Sequence, residues 1–417
     1  MSTLQARAGV TVAEPGSGEA HALSGLGFRP RAVIAWWTCQ AEHGVAVGNR
    51  GGLGFWASSS TVAIGWSSEA GVPEARASQV TADAALVGLS ADGSMLTLEG
   101  RLASFDADGL TILWTVAPTE TWIIHFLALG GDALVDARVG WTSVDAGTTD
   151  TVLDLDPAGS LVLVAPALAS SESVMQDGAI VGLGAQARSG RAACAYSVSS
   201  GDAPGAIAGA QRHDALITIP QADGTTCSGR LERDPGGSAR IGWSTRPAQA
   251  HRLCHLTLEG IRAHVGVALS PTEPGRRRSR IGFRPDAILF LSWGLGEAME
   301  TKRIGRVCIG AASAGDVVCG GWDDRNTTEP RTGTHVVSST DRVLVVTDTS
   351  RGGIHATASV GDIGRTGFRL DWADSDGKTR EVLFVALGTR ASPSSGALRR
   401  VVTRLLDVRL LRGRRAA

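Results

Sequence analysis

Lysine is almost absent from this 417-residue chain, with Lys302 and Lys378 the only two. Basic charge therefore rests on arginine. With 40 basic against 41 acidic side chains, the balance excludes the strongly cationic surface of a general polyanion binder, so nucleic acid is not an expected partner. Tyrosine occurs once, as Tyr196. No apolar run reaches the roughly 18 residues that span a membrane. The first residues, MSTLQARAGVTVAEPG, lack the apolar centre of a secretion signal, so synthesis and folding in the cytoplasm are expected. No GxSxG elbow is present, which removes that hydrolase class. The six cysteines are irregularly spread, and buried reduced thiols are the expectation. Cys308 and Cys319, in the hairpin pattern RVCIGAASAGDVVCGG, are placed where a bridge is geometrically possible.

What is abundant is glycine, at 54 residues, and tryptophan, at 11. The tryptophans reveal a long period. Trp114 in TILW, Trp243 in RIGW and Trp372 in RLDW are spaced by 129 residues each time, and Leu129, Leu258 and Leu387 keep the same step. Pro30, Pro157 and Pro285 follow at 127 and 128. Such a period marks a tandem array. The expected organisation is a repeat over 1–132, a divergent repeat over 133–262, a third over 263–389, and a C-terminal tail over 390–417.

Within each repeat, short apolar segments alternate with Gly, Asp-Gly and Pro breaks, and no helical period is sustained. This pattern predicts an all-β chain of three β-sandwich, jelly-roll-like units. One strand per repeat is apolar on both faces: Val33, Ala35 and Trp37 point one way, Ile34 and Trp36 the other. Residues 161–164 and 287–291 repeat the property. One face fills a sandwich, and the other must be covered by a neighbouring unit or subunit. Trp36 and Trp37 are thus candidate interface residues, and Trp114, Trp243 and Trp372 candidate repeat-core residues. Short junctions favour a fixed arrangement, either a ring or a linear stack.

The tail reads ALRRVVTRLLDVRLLRGRR and carries a helical apolar stripe through Leu405 with Arg399, Arg400, Arg404 and Arg409 around it. It reads as a helix docked on its own chain or as a tether to a partner; a nucleic-acid or membrane contact is the lesser alternative, because the stripe is short and the arginines do not share one clean face.

Polar residues do not recur at the repeat step, which argues against a shared catalytic or metal-binding task, and no cofactor is expected. His251 and His255 are four residues apart on a strand, too far for simple shared ligation. The Asp106-Ala-Asp108-Gly109 and Asp374-Ser-Asp376-Gly377 turns lack the remaining calcium ligands and read as hairpins. Six tryptophans in the first repeat leave a sugar-stacking platform as a second reading.

The segments GFRPRAVIAWWT and ASFDADGLTILWTVAPTETWIIHFLALGG resemble a module of bacteriophage and phage-like particle proteins. In that module a GF-x-P-x-A-x-I-x-W strand precedes an FDADGF-x-L-x-W hairpin and a closing LALGG strand. The third repeat matches in GFRPDAILFLSW and GFRLDW, the second only at its ends. The resemblance implies a structural virion or tail component, built in the bacterial cytoplasm, that packs against its own copies and other particle proteins. It carries no catalytic residues. A tail-fibre module that binds host surface glycans is the alternative, and a polysaccharide depolymerase a third.

Overall fold

The computed structural model describes residues 2–72, 76–153, 159–168, 172–199, 207–220, 225–233, 239–293, 304–326, 332–348 and 353–390. Among them every regular element is a strand. Six antiparallel sheets form, alternately large and small along the chain.

The first large sheet runs Gln5–Ala13, Trp122–Gly130, Pro30–Cys39, Asn49–Ala57, Thr61–Ser68, Ala77–Ala82. Its small companion runs Ala20–Ser24, Gly109–Val116, Leu96–Asp106, Leu86–Leu89. The same order returns twice. The second large sheet is Ala137–Val144, His251–Leu258, Leu161–Leu168, Ala179–Ala187, Gly190–Val198, Ile207–Arg212, over Asp150–Leu153, Ala239–Thr245, Thr226–Arg233, Ile217–Pro220. The third is Arg262–Leu269, Glu381–Gly388, Ala287–Ser292, Ile304–Ala312, Val317–Asn326, Thr332–Ser339, over Gly275–Arg280, Gly367–Asp374, Gly353–Gly364, Leu344–Asp348.

Each pair of sheets closes on its own apolar core. Val33, Ala35 and Trp37 fill the first, Val162 and Val164 the second, Ile288 and Phe290 the third. The alternate residues of the same strands point away from these cores and meet one another. Ile34 and Trp36, Leu161 and Leu163, and Leu289 and Leu291 belong to one continuous buried cluster shared by all three sandwiches. At about 25 cal/mol per Å² of apolar surface, burying three such sheet faces is a dominant stabilising contribution. A linear stack would separate the first unit from the third; here all three meet in a closed ring of contacts.

The GFRP turn has a local cause. Gly27 and Gly282 both sit at φ +79, the left-handed region that glycine tolerates. In the first unit the Asp108 carboxylate accepts hydrogen bonds from the Gly27 amide at 2.5 Å and the Gly25 amide at 3.2 Å. In the third, the Thr366 carbonyl accepts from Ile281 and Gly282. In both units the GFRP turn is thus fastened to the small-sheet hairpin, an Asp-Gly hairpin in the first unit only, and there the Asp106 carboxylate is taken up by Ser104 and Thr111.

Candidate functional site: the three-way junction

Two short strands leave their own sandwich and extend another. Gly44–Val47, from the first unit, adds to the edge of Thr332–Ser339 in the third, with Val47 opposite His335 and Gly44 opposite Ser338. Gln176–Asp177, from the second, adds to Ala77–Ala82 in the first, with Gln176 opposite Gln79. Both arms lie between the second and third long strands of their unit, so the exchange proceeds in one rotational sense. Strand addition satisfies edge groups that otherwise invite aggregation.

Buried polar side chains fasten each seam. Between the first and second units, Gln79 Nε2 donates to the Ile180 carbonyl at 2.6 Å and its Oε1 accepts from the Leu168 amide at 2.8 Å. Between the second and third, Gln211 Oε1 accepts from the Trp293 amide at 3.1 Å and Nε2 donates to the Glu381 carbonyl at 3.2 Å. Between the third and first, Ser338 Oγ lies 2.8 Å from His125 Nε2 and 2.7 Å from His43 Nδ1. Burial holds the His125 imidazole neutral, with its pKa pushed down to about 3.

At the centre, Trp66, Tyr196 and Trp322 occupy the same position on the equivalent strands of the three units. All three are buried, and Trp66 meets Trp322 edge-to-face at 4.9 Å between centroids. Two residues further along each strand stand Ser68, Val198 and Asp324, and opposite these Asn49, Ala179 and Gly305. The first and third members build a polar plug. Asn49 Nδ2 donates to the Tyr196 hydroxyl at 2.7 Å and to Asp324 Oδ2 at 2.6 Å, and Trp66 Nε1 donates to Asn49 Oδ1 at 3.3 Å. Burial, helped by the neighbouring Asp323 charge, pushes the Asp324 pKa up to about 7 against the lowering effect of its hydrogen-bond donors. Asp323 is itself held by His335 Nδ1 at 3.0 Å and by the Thr347 hydroxyl. Sequence reasoning missed this plug, because its members are single residues from different units.

The structure divides the two candidate interface tryptophans. Trp36 lies in the shared central cluster, stacked on His125 at 5.8 Å. Trp37 instead belongs to the first sandwich's own core, where its Nε1 donates to the Val87 carbonyl at 2.9 Å. This follows from strand alternation: neighbours on one strand cannot share a face. Trp114, Trp243 and Trp372 sit on equivalent strands of the small sheets, opposite Gly100, Gly229 and Ala358. Trp243 and Trp372 are buried and Trp114 half-buried. The tail candidates Arg399, Arg400, Arg404, Leu405 and Arg409 lie outside the described residues.

Nine tryptophans are buried, and the remaining two, Trp114 and Trp141, are half-buried. Trp141 bridges units: its Nε1 donates to Asp83 at 2.7 Å and Arg252 covers its ring at 4.3 Å. A cleft of about 600 Å³ between the second and third units is lined by Ser160, Gln186, Arg188, Arg262 and Arg390, with no carboxylate among its described lining. In a shallower depression, Asp150 and Glu232 both pair with Arg240, at 3.5 and 3.6 Å. Among the described residues no group of His, Cys, Asp and Glu is arranged to hold a metal. All six cysteines are free thiols, including Cys308 and Cys319.

No family model and no curated protein matches the chain. Among solved structures, the LG1-3 region of the laminin alpha2 chain is similar at 9% identity over 93% of this chain and 96% of that chain, with a TM-score of 0.09. A likeness of that size carries no argument about fold or function.

Proposed function

We propose that the chain is a structural building block of a phage virion or phage-derived tail-like particle, acting through protein–protein packing. The observation that carries this reading is the closed junction: three equivalent sheets, each buried on both faces, locked by exchanged strands. Such a construction yields a rigid body with a large outer surface, which suits an assembly subunit better than an enzyme that must open and close. The resemblance of GFRPRAVIAWWT and the FDADG hairpin to phage particle modules points the same way. Its partners in this reading are copies of itself and other particle proteins, with the basic tail around Arg399–Arg409 as the tether.

The test is electron microscopy of particles purified from the source organism, with this chain located in the density. Ordered copies at fixed particle positions are the expected result. A chain that stays in the soluble fraction while intact particles form without it would overturn the reading.

A further inference from the structure

The third unit's small sheet ends in the strand Gly275–Arg280, whose sequence is GRRRSR. Its counterparts, Ala20–Ser24 (AHALS) and Asp150–Leu153 (DTVL), carry no arginine. Arg277 stands opposite Leu370, which is buried in the sandwich core, so Arg276, Arg278 and Arg280 share the outward face. Arg276, Arg277, Arg278 and Arg280 are all exposed. The adjoining hairpin brings Arg365 and Arg369 beside them.

The local carboxylates do not neutralise this cluster. Asp371 is taken mainly by Arg369, at 2.6 and 2.9 Å, and reaches Arg276 only at 4.0 Å. Asp362 lies 3.6 Å from Arg278. Arg277, Arg280 and Arg365 have no ion pair among the described residues. A chain with a net charge of −1 thus concentrates six guanidinium groups around two carboxylates at one sheet edge.

We propose that this edge is a docking strip for an acidic, extended segment of a partner protein, which adds as a fifth strand. An edge strand presents unpaired backbone N–H and C=O groups. Alternate residues of an added strand are spaced by about 6.6–6.8 Å, the same repeat as Arg276, Arg278 and Arg280, so carboxylates at every second position meet guanidinium forks. The molecule already uses strand addition twice, at the edges that receive Gly44–Val47 and Gln176–Asp177. Charge at an edge can also serve merely to prevent pairing. One or two charges suffice for that, however, and neither counterpart strand carries a comparable array. This inference does not depend on the particle reading.

Fluorescence anisotropy with the full chain and a short labelled peptide of alternating threonine and glutamate is the decisive experiment. A second peptide, identical but N-methylated throughout its backbone, keeps the charge and removes edge pairing. The unmodified peptide is expected to bind at low salt, and the methylated one at least about tenfold more weakly. The variant carrying Arg276→Ser, Arg278→Ser and Arg280→Ser should lose binding while keeping its unfolding midpoint. Equal binding of both peptides, or of neither, overturns the proposal. So does heparin or a single-stranded oligonucleotide binding more tightly than the peptide, since either would make this a plain anion patch. The peptide comparison on the unaltered chain decides the matter even if the triple variant fails to fold.

Discussion

The side-chain amide of Asn49 lies 2.7 Å from the hydroxyl of Tyr196, although the two residues are 147 positions apart and belong to different sandwiches. The same amide reaches Asp324 in the third sandwich at 2.6 Å. One asparagine therefore ties all three units at a single buried point. Replacing it by alanine leaves Asp324 and Tyr196 short of a donor, at a cost of about 2–4 kcal/mol. Tyr196→Phe should cost less, about 1–2 kcal/mol. The double variant should fall short of the sum by at least about 0.5 kcal/mol, measured as a double-mutant cycle in urea. Strict additivity would show that the bond contributes nothing.

Asp324 sets a pH dependence whose sign is fixed. Its folded pKa of about 7 lies above the ordinary carboxylate value of 3.8, so between those limits the folded chain holds a proton that the unfolded chain has released. Its contribution to stability therefore falls as pH rises from about 4 to 7, and the burial penalty is complete above 7. The buried, neutral His125 and His251, held at about 3 and about 4, act in the opposite sense. Their contribution is full above about 6.5 and is lost as pH drops toward those values. Asp324→Asn should raise stability at pH 8 relative to pH 5, by an amount of order a few kcal/mol, when compared with the unaltered chain. Identical pH profiles for the two proteins would refute the assignment.

Glycines accept the aromatic residues at the junction. A Cβ on Gly51 would fall well inside contact distance of Trp322 Nε1 and 2.6 Å from the Trp37 carbonyl oxygen. Gly51→Ala should therefore cost about 1–3 kcal/mol through overpacking. Trp322→Ala, which leaves a cavity instead, should cost about 3–5 kcal/mol. Gly16 has nothing within 4 Å of its would-be Cβ but sits at φ +77, so Gly16→Ala tests backbone strain alone. Thermal midpoints of the three variants separate the effects.

Because the central cluster belongs to no single unit, the whole described body should unfold as one. Calorimetry is expected to show a single transition with equal calorimetric and van't Hoff enthalpies. A fragment of residues 1–132 alone would bare Ile34, Trp36, Leu53 and Trp66, and should aggregate or oligomerise. Three resolved transitions, or a soluble monomeric fragment, would contradict this.

If the tail over 390–417 is a tether, a chain lacking it should keep the unfolding midpoint of the full protein; a lowered midpoint would favour the helix docked on its own chain. Loss of residues 391–417 is expected to reduce incorporation into particles severalfold, scored by quantitative blotting of purified fractions. Unchanged incorporation would dismiss the tether.

Much of the scaffold was legible in the sequence. A strand apolar on both faces, as in Val33–Trp37, has no stable solution except burial on both sides, and the 129-residue step showed that three such strands exist. The junction chemistry was not legible. Recurrence was the criterion for a shared polar task, yet the plug arises where recurrence fails: Asn49 stands where the other units have Ala179 and Gly305, and Asp324 where they have Ser68 and Val198. The arms were hidden for a similar reason. GVAV at 44–47 reads as an ordinary hairpin segment, and its partner strand lies nearly 300 residues away. Tryptophan abundance has a structural reason, because a ring of three sandwiches needs far more large buried side chains than one sandwich does.

Linking the three sandwiches in one polypeptide has a consequence for dilution and for identity. A ring of three separate copies comes apart when its concentration falls, and it shows every neighbour the same face three times. Here the sides are held at a fixed ratio by the chain itself, and each is free to carry its own address. The arginine-rich edge at Gly275–Arg280, against AHALS and DTVL at the matching places, is one side written differently from the other two. Such a body can sit where its surroundings lack threefold symmetry, and can do so in only one of three rotations.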